Sequence, residues 1–577
     1  MGVIKIADNI ISPLGFTTSE NYQAVKEGRT GLRRYEHFDD IPEPFTASLI
    51  DSSALDRRIH ECGLCLQSYT RFERMIILSV WQALQSTDID ASSARVLFLV
   101  STTKGNVSLL DPQMGWKDEE RIQLGTSARL IAQYFRNPNE PIVISNACVS
   151  GLCAQITAMR ALRSGRYDRA IVTGADEQSR FIISGFQSFK TVSAEPCRPF
   201  DIERQGLNPG EAAATLILES SRIGCHGKDP LWHLDNGAIR NDGYHISTPS
   251  KTGEGARRVL ETVLHDEKIE DLALVNVHGT ATLYNDEMES VAIFRAGLQD
   301  VPVNSLKGYF GHTMGAAGIL ESILTMKAID DHTLLATKGY THCGVSHPVH
   351  ILAENRATDQ KDFIKLLSGF GGCNAAILFR KHAVEKDVMV VPQPLRVAHR
   401  VEITPTQVIV DGLQVATEHQ GAELLTELYR RYADDYPKFF KMDPLCKLGY
   451  VASVLILQAD GNRDKGTDHR AVILFDRHGS ICSDRKYQAT VTGVDNYYPS
   501  PAVFVYTLAN IVTGEIAIRN QFKGETAFYV LDKEDPRLME EIVADSFQDK
   551  ATQSVLTGWV DFRDAQQFNA KLYIINR

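Results

Sequence analysis

The sequence has no excess of positive charge. Its 61 Lys and Arg residues are outnumbered by 72 Asp and Glu residues, which gives a formal net charge of −11 at pH 7. A dedicated nucleic-acid-binding domain needs a basic stripe or patch that follows the phosphate backbone. The composition therefore argues against nucleic acid as a partner, and it leaves room only for a local basic patch.

Long apolar runs are also missing. No stretch approaches the ~20 consecutive apolar residues that a transmembrane helix needs. The first residues, M-G-V-I-K-I-A-D-N-I-I-S-P-L-G, do not have the charged-then-apolar order of a signal peptide. We therefore expect no membrane span and a cytoplasmic protein.

Cysteine is present without the spacing of a disulfide framework or a zinc site. The ten cysteines are spread over 577 residues, and in a reducing compartment most of them are expected to be free thiols. Cys62 and Cys65 form one C-x-x-C pair, but no second cysteine pair or nearby histidine pair completes a set of four ligands. We predict ordinary thiols there and no metal site.

Length and local pattern indicate several α/β units. At about 100–200 residues per domain, the chain suggests about three or four folding units. Apolar runs at residues 4–11, 95–101 and 169–176 predict buried strands, and apolar-periodic stretches at residues 69–85 and 127–135 predict helices. This alternation predicts an α/β fold with a largely parallel, covered sheet.

The stretch P-I-V-I-S-N-A-C-V-S-G, residues 141–151, places Cys148 between a predicted strand and a predicted helix. A helix N-terminus carries partial positive charge and free backbone N–H groups, which lower the pKa of a cysteine and could hold an oxyanion. Cys148 is thus a candidate nucleophile. Local sequence alone leaves an alternative, a small buried residue at a strand end, because free cysteine is among the most buried residue types.

Two histidines further along the chain favour catalysis. His278 ends a predicted strand in A-L-V-N-V-H-G-T-A-T-L-Y-N, and His312 lies between a loop and a Gly/Ala-faced helix in K-G-Y-F-G-H-T-M-G-A-A-G. Either histidine alone is more often a structural residue than a catalyst. Two of them at strand-to-loop positions, in one α/β region with Cys148, indicate an active site.

These motifs resemble the β-ketoacyl-acyl-carrier-protein synthases of the Cys-His-His type, which have the thiolase fold. The matching elements are A-C-x-x-G at Cys148, H-G-T-x-T-x-x-N-D-x-x-E from His278 to Glu289, K-x-x-x-G-H-x-x-G-A-A-G from Lys307 to Gly318, and G-F-G-G-x-N from Gly369 to Asn374. Four separated motifs in the right order make a chance match very improbable. The resemblance covers residues 1 to about 381, and it implies two pseudo-repeated halves, 1–240 and 241–381, packed as five αβαβα layers.

The resemblance implies a role for each matching residue. Cys148 would carry the acyl chain as a thioester. His278 and His312 would donate N–H groups to the malonyl thioester oxygen as carbon dioxide leaves, so burial should keep their pKa values low. Lys307 would organise the site electrostatically, with Glu289 as its carboxylate partner. Thr280 and Thr282 would contact the phosphopantetheine arm. Phe370 would be the gating residue next to the nucleophile; the alternative is a plain core aromatic. Gly369 and Gly371 would give the gate its backbone freedom.

The implied reaction is a decarboxylative Claisen condensation in fatty-acid or polyketide-like biosynthesis. The partners would be acyl and malonyl thioesters and an acyl carrier protein, whose phosphopantetheine takes the place of a bound cofactor. One alternative is a subunit that sets chain length or scaffolds a partner synthase, but Cys148 argues against it for residues 1–381. Another is a thiolase or an acyl-coenzyme A transferase, which His312 disfavours.

The resemblance also implies a homodimer, or a heterodimer with a related synthase. In relatives, the segment between the strand at residue 95 and the helix at residue 127 helps to form the dimer interface and the floor of the acyl pocket. This segment is shorter here than the family pattern leads us to expect. The acyl length and the oligomeric geometry are therefore open.

Residues 399–577 follow a linker predicted at residues 382–398, and they repeat the order of patterns in the first half. The repeated elements are a helix at residues 442–457, a strand from His469, a helical stretch from Thr507, a strand up to Leu531 and the segment V-L-T-G-W-V-D at Val555. Leu531, Asp532 and Lys533 stand where the first half has its cysteine. We predict a thiolase-like half-domain without a catalytic cysteine; the alternative is an unrelated α/β appendage.

Overall fold

The computed structural model describes residues 2–116, 118–223, 229–264, 268–383 and 394–577. These residues form three consecutive units, which we call the first, second and third units. In each of them, five strands pair in the same order and with the same sense.

The first unit extends to residue 223. Its strands are β1 (Val3–Ile11), β2 (Arg33–Tyr35), β3 (Phe45–Ala47), β4 (Val96–Ser101), β5 (Ile142–Ile144), β6 (Arg169–Asp176) and β7 (Ala212–Ser220). Its helices are α1 (Thr18–Lys26), α2 (Ser52–Glu61), α3 (Arg71–Leu84), α4 (Leu124–Tyr134), α5 (Ser150–Arg163) and α6 (Arg180–Ser188). The main sheet has the order β1-β7-β6-β4-β5, in which β4, β5 and β6 are parallel and β7 is antiparallel to both of its neighbours.

The second unit runs from residue 229 to residue 383. Its strands are β8 (Leu231–Asn241), β9 (Leu272–Asn276), β10 (Pro302–Asn304), β11 (Thr333–Leu334), β12 (His350–Ile351), β13 (Arg356–Ala357), β14 (Asp362–Gly369) and β15 (Cys373–His382). Its helices are α7 (Glu254–Val263), α8 (Leu283–Arg295), α9 (Lys307–Phe310) and α10 (Ala317–Asp330). The order β8-β15-β14-β9-β10 repeats that of the first unit. The boundary expected at residue 240 falls inside β8.

The third unit begins at residue 394. Its strands are β16 (Arg396–Thr404), β17 (Gln407–Val410), β18 (Leu413–Gln414), β19 (Arg470–Asp476), β20 (Val491–Gly493), β21 (Asn496–Tyr497), β22 (Thr526–Val530), β23 (Ser554–Asp564) and β24 (Gln567–Asn576). Its helices are α11 (Ala422–Tyr432), α12 (Pro444–Ala459), α13 (Ile481–Gln488), α14 (Pro501–Phe504), α15 (Ile511–Asn520) and α16 (Pro536–Ser546). Here the order is β16-β24-β23-β19-β22. Most of the predicted linker, residues 384–393, lies outside the described residues.

The first two units form the five αβαβα layers of a thiolase-like fold, as predicted. Helices α5 and α10 pack against each other between the two sheets, and nearly all of their residues are buried. Helix α3 covers the outer face of the first sheet, and α7 packs on the second. The sheets are mixed rather than largely parallel, because β15 follows β14 and β24 follows β23 through short turns, which only antiparallel neighbours permit.

Strand β5 joins the first unit to the third. One edge of β5 pairs with β4, and the other pairs antiparallel with β22, so that Tyr529 lies opposite Ile144 and Val530 lies opposite Val143. Buried ion pairs cross the same junction, including Arg160 with Glu525 at 2.8 Å and Lys104 with Asp484 at 2.6 Å. The two sheets are therefore continuous within one chain.

The segment that the family resemblance assigns to a dimer interface contacts the third unit. Glu119 and Glu120, in the turns between β4 and α4, form ion pairs with Arg485 and Arg477. In relatives this surface would face another subunit. Here it faces residues of the same chain.

No single helix within the described ranges is long and apolar enough to cross a membrane. One pair of helical segments, Pro501–Thr507 and Ile511–Asn520, passes that test together by length and composition only, with a bend of 102° between them. Ile511 to Ala517 are all buried within the fold.

Candidate active site

A cleft of about 290 Å³ opens over Cys148. His278 and His312 line it, and so do Thr280 and Thr282 of the His278 motif and Phe370 of the motif at residues 369–374. The structure thus gathers side chains that lie more than 200 residues apart in the chain. Lys307 and Glu289 lie behind this lining, each almost fully buried.

A tight turn presents Cys148 to the cleft. One turn of 3-10 helix, Ala147–Val149, connects β5 to α5. Ala147 has a φ of +48°, in the left-handed region that costs a residue with a Cβ on the order of 1 kcal/mol. Ser150 holds the turn, since its Oγ accepts from the N–H of Asn146 at 2.8 Å and donates to the carbonyl of Ala147 at 2.6 Å.

His312 lies directly against the sulfur of Cys148. Its Nε2 is 3.0 Å from Sγ, and the backbone N–H of Met314 donates to its Nδ1 at 3.3 Å. An imidazole that accepts at Nδ1 carries its proton on Nε2 when it is neutral. His312 therefore directs an N–H donor towards Sγ and the space around it.

His278 is the second imidazole at the base of the cleft. Its ring centre is 5.0 Å from that of His312. The carboxylate of Glu289 accepts from the backbone N–H groups of His278, at 2.7 Å, and Gly279, at 2.8 Å, and so fixes the loop after β9. Nδ1 of His278 is buried and has no hydrogen-bond partner among the described residues.

Both imidazoles are neutral at pH 7. Burial lowers the pKa of His278 and His312 well below the ordinary value, and the charge of Lys307 lowers both further. This is the direction that the sequence led us to expect. A neutral imidazole can donate a hydrogen bond to an oxygen that is becoming negative without first giving up a charge.

Glu321, rather than Glu289, is the carboxylate partner of Lys307, and the expected pairing is wrong. The ammonium group of Lys307 lies 2.5 Å from one oxygen of Glu321, and that of Lys365 lies 2.6 Å from the other. Glu289 cannot take this role because its oxygens already accept from the loop at His278 and from Asn285. Burial alone would raise the pKa of Glu321, but the two lysines outweigh it and hold that pKa below its usual value.

The expected lowering of the Cys148 pKa is also wrong. Burial raises the pKa of the thiol to about 12, although the charge of Lys307 and the backbone N–H groups of Cys148 and Phe370 act in the opposite direction. The helix N-terminus does not reverse this, since α5 begins only at Ser150. The resting form at neutral pH is therefore a thiol next to an N–H donor.

Phe370 begins the turn between β14 and β15, which crosses the cleft. Gly371 and Gly372 follow with φ of +87° and +72°, conformations that favour glycine. Gly371 donates its N–H to the carbonyl of Ile246 at 2.7 Å, and a Cβ at Gly369 would lie 3.3 Å from the backbone nitrogen of Cys148. The glycines let the turn lie close to Cys148, while the gating role of Phe370 stays a prediction.

Thr280 and Thr282 lie on one wall of the cleft. Their hydroxyl oxygens are 2.9 Å apart, and either can act as the donor. Thr280 is buried and Thr282 is partly exposed. Both are placed to meet a ligand that enters from outside, and their contact with phosphopantetheine remains a prediction.

Among the described residues, Cys148, His278 and His312 are also the set of side chains that could hold a metal ion, with ligand atoms within 4.8 Å of one another. The charge around them opposes a cation. Lys307 and Lys365 both bind the carboxylate of Glu321, and the positive charge of each lysine lowers the pKa values of His278 and His312. The site is better suited to an anion such as a carboxylate or an enolate.

Three supporting residues were not identified from the sequence. Lys365 and Glu321 carry charge into otherwise apolar stretches of β14 and α10, which is a signal that could have revealed them. Asp176 accepts from the N–H groups of Lys104, at 3.0 Å, and Gly315, at 2.7 Å. It thereby ties the loop after β4 to the segment that carries His312.

Known proteins resemble this chain over its first two units. Residues 4–222 match the family described as "Beta-ketoacyl synthase, N-terminal domain", and residues 233–341 match "Beta-ketoacyl synthase, C-terminal domain". The 3-oxoacyl-[acyl-carrier-protein] synthase 2 of Vibrio harveyi is 26% identical over 414 residues, which cover 66% of this chain and 99% of that protein. The synthase of the same name from Synechocystis sp. is 26% identical over 411 residues, 64% of this chain and 96% of that protein.

Solved structures extend the likeness beyond the two matched domains. A structure titled "PfaC Keto synthase-Chain length factor" covers 100% of this chain and 78% of its own, with a TM-score of 0.78 and 14% identity, which shows a shared fold that includes the third unit. "The ishigamide ketosynthase/chain length factor" covers 66% of this chain and 98% of its own, with a TM-score of 0.59 and 25% identity. The two matched domains span more than half of the residues and contain both the cysteine and the two histidines of the cleft, and on these grounds the chain belongs to the β-ketoacyl synthase family.

Proposed function

We propose that this chain condenses an acyl group held on Cys148 with malonyl carried by an acyl carrier protein, and that it releases carbon dioxide and a β-ketoacyl thioester. The observation that carries the proposal is the contact of 3.0 Å between Nε2 of His312 and Sγ of Cys148, with His278 beside them. A nucleophile and two neutral N–H donors at the base of one cleft are the groups that this reaction requires.

The first step transfers the acyl group to the enzyme. Sγ of Cys148 attacks the thioester carbonyl of the incoming acyl carrier, a new carbon–sulfur bond forms, and the bond to the pantetheine sulfur breaks. The thiol proton of Cys148 ends on the released pantetheine thiol. The N–H groups of Cys148 and Phe370, which already act on the sulfur, are placed to hold the oxyanion that forms in between.

The second step forms the carbon–carbon bond. Malonyl loses its carboxylate as carbon dioxide, and the electron pair stays on the thioester as an enolate, whose oxygen accepts from His278 and His312. The carbanion attacks the acyl group on Cys148, and the departing Cys148 thiolate takes up one proton. Lys307 and Lys365 supply positive charge behind the imidazoles and favour the anionic state.

In this proposal the third unit is a half-domain of the same fold that has no nucleophile. It contains the predicted residues 399–577, and its first strand, β16, begins at Arg396. Its strand order, identical to those of the first and second units, supports this assignment. The connection that follows β22 contains Leu531, Asp532 and Lys533 and no cysteine, whereas the corresponding connection after β5 contains Cys148. The pairing of β22 with β5 further supports the proposal that the third unit takes the place of the second subunit of a dimer.

A role in setting chain length is the second candidate function, and it concerns the third unit only. The ring of Phe504 packs against that of Phe186, with 5.6 Å between their centres, and Phe186 lines the cleft above Cys148. A side chain of the third unit thus lies behind the wall that an acyl chain would meet.

We place the enzyme in the cytoplasm, where a reducing environment keeps the Cys148 thiol free.

Intact-protein mass spectrometry tests the proposal. Wild-type protein incubated with an acyl-carrier-protein thioester should gain the mass of one acyl group, and the Cys148→Ala variant should gain none. Cys153→Ala is the matched control, because Cys153 lies five residues further on in α5 and is fully buried. That variant should be acylated like the wild type.

The same experiment can overturn the proposal. Absence of acylation of the wild type by carrier-protein, coenzyme A and pantetheine thioesters would exclude a condensing function. Equal acylation of the Cys148→Ala variant would place the nucleophile elsewhere.

A further inference from the structure

A cavity of about 680 Å³ lies where all three units meet. The first unit contributes the last turns of α5, and the second contributes β8, α7 and the end of β15. The third unit contributes Asp468, before β19, and residues 548–551, after α16. Cys148 precedes α5, whereas the cavity lies at the other end of that helix, near Arg163. At a rise of about 1.5 Å per residue, the cavity is roughly 20 Å from the nucleophile, so it is separate from the active-site cleft.

Cationic side chains outnumber acidic ones in the lining of this cavity. Six arginines and one lysine face four carboxylates there. We call it the arginine cavity. Arg160 and Arg163 come from the first unit, Arg240 from the second and Lys550 from the third. In a chain of net charge −11, this is a local excess of positive charge, and such an enclosed excess favours an anionic ligand.

The carboxylates hold the guanidinium groups of the arginine cavity in place. Asp549 lies 2.5 Å from Nη1 of Arg240. Asp468 lies between two arginines, 3.3 Å from Nη1 of Arg258 and 3.6 Å from Nε of Arg240. The other carboxylates that pair with these arginines include three that do not line the cavity: Glu254, Asp362 and Glu525. The ion pairs therefore fix the direction of the guanidinium groups, while the cavity surface keeps its excess of cations.

Two cationic groups of the lining have hydrogen-bonding capacity that the described residues do not use. Arg240 is only 1% exposed, yet its Nε is buried and has no hydrogen-bond acceptor in the described ranges. Asp468, at 3.6 Å, is too far away to accept from it. Lys550 is exposed and forms no ion pair with any residue that the structure describes. A buried N–H group without an acceptor is costly, and an anion bound in the cavity would remove that cost.

We propose that the arginine cavity binds a small molecule that carries two or more phosphate groups, and that this ligand bridges the three units. Guanidinium groups bind phosphate oxygens in pairs, and each phosphate offers three acceptor oxygens and up to two charges. The volume of the cavity, about 680 Å³, exceeds the needs of a single phosphate and falls within the range of small-molecule sites. Binding there does not depend on the proposed condensing function, because no residue of the active-site cleft lines the arginine cavity.

Isothermal titration calorimetry with inorganic tripolyphosphate as the probe tests the site in the full chain. Wild type should bind one tripolyphosphate per chain. The variant Arg163→Gln/Lys550→Gln removes two of the seven cationic side chains of the lining, and it should bind about tenfold more weakly. The matched control is Arg136→Gln/Lys533→Gln, which removes one exposed arginine of the first unit and one exposed lysine of the third, both outside the lining. Binding to the control should stay within about twofold of wild type.

Thermal unfolding provides a second readout. A ligand that binds only the folded protein raises Tm by mass action, so tripolyphosphate should raise the Tm of wild type and control more than that of the cavity variant. Sodium chloride at the same ionic strength should not reproduce this rise. Circular dichroism and the Tm without ligand report whether the double variant folds. If it does not, Lys550→Gln alone changes one exposed side chain and should weaken binding about threefold.

Three results would overturn the phosphate site. The first is the absence of saturable binding to wild type at tripolyphosphate concentrations up to about 1 mM. The second is equal affinity in wild type, the cavity variants and the control, which would place the bound phosphate elsewhere. The third is an equal rise in Tm with sodium chloride, which would assign the effect to screening of surface charge. Weaker binding in the cavity variants alone supports the site, whether or not Cys148 accepts an acyl group.

Discussion

Asn510 of the third unit donates its side-chain amide to the carbonyl oxygen of Phe370 in the second unit, over 2.9 Å. Four residues further on, in α15, Gly514 lies so close to Gly371 that a Cβ would come within 2.8 Å of that glycine's carbonyl oxygen. The third unit therefore touches the turn that crosses the active-site cleft. It is coupled to the chemistry although it supplies no nucleophile.

We expect Asn510→Leu to lower the rate of product formation about tenfold. The substitution keeps the branched shape of the side chain but leaves the partly buried carbonyl of Phe370 without its donor, at a cost of roughly 1–3 kcal/mol that loosens the Phe370 turn. The rate is measured with saturating acyl and malonyl carrier thioesters. Asn520→Leu is the control, since among the described residues the Asn520 amide bonds only to the carbonyl of Ile516 in the same helix. Wild-type turnover by Asn510→Leu would show that the turn holds its position without the third unit.

The raised pKa of Cys148 leads to a prediction about alkylation. With a pKa of about 12, the thiolate fraction and hence the rate of reaction with iodoacetamide should rise about tenfold per pH unit between pH 7 and pH 9, without a plateau. Lys307→Met removes a charge that lowers this pKa, so it should slow alkylation at each pH. Mass spectrometry of the Cys148 peptide measures the rate.

Lys327→Met provides the matched control for that experiment, because Lys327 also lies on the α9–α10 segment but is not among the main groups that shift the Cys148 pKa. A plateau near neutral pH in wild type would mean that the thiol ionises much more readily than burial allows. Equal rates for Lys307→Met and wild type would remove Lys307 from the electrostatics of the sulfur.

The main fold and most of the site could be predicted from the sequence because the signals are local. Glycine-rich motifs around Cys148, His278, His312 and Phe370 indicate turns that only a few residue types can form. Such motifs can be recognised in the sequence without knowledge of the tertiary structure. Continuous apolar runs such as that of β6 gave strand positions directly. The order of patterns after residue 399 likewise pointed to a repeat.

What could not be predicted depends on the packing of distant residues. Glu289 and Glu321 both follow histidine motifs, and only the structure shows that Lys307 reaches Glu321. The pKa of Cys148 is set by burial, which a helix N-terminus in the sequence does not reveal. The contact of β22 with β5 joins edges of two sheets, and strand pairing between units leaves no local trace in either segment.

Stability should depend on pH through His278 and His312. Burial lowers both pKa values well below 6.5 in the folded state. As the pH falls below about 6.5, the two histidines take up protons in the unfolded chain but stay neutral in the folded protein. The free energy of unfolding therefore decreases. The stabilisation is therefore complete above that pH and is lost on the acidic side. The double variant His278→Asn/His312→Asn should show a smaller fall in Tm between pH 7 and pH 5.5.

Calorimetry at matched ionic strength measures this difference. His332→Asn is the control, since the His332 side chain is 70% exposed, and it should leave the pH dependence of Tm unchanged. A double variant with the full wild-type fall in Tm would assign the acid sensitivity to other groups, such as paired carboxylates.

Phe504 leads to a prediction about acyl length. Gly185 leaves room for its ring, since a Cβ there would collide with it, and the ring also packs on Phe189, with 6.2 Å between centres. Phe504→Ala should open space behind Phe186 and shift kcat/KM about tenfold towards longer acyl thioesters, at a stability cost of about 3–5 kcal/mol. Phe562→Ala is the control, because Phe562 is equally buried but stacks on Phe568 away from the cleft. If both variants change the preferred acyl length alike, the effect comes from a general loosening of the fold. If only Phe504→Ala changes it, a side chain of the third unit limits the acyl pocket of the first unit.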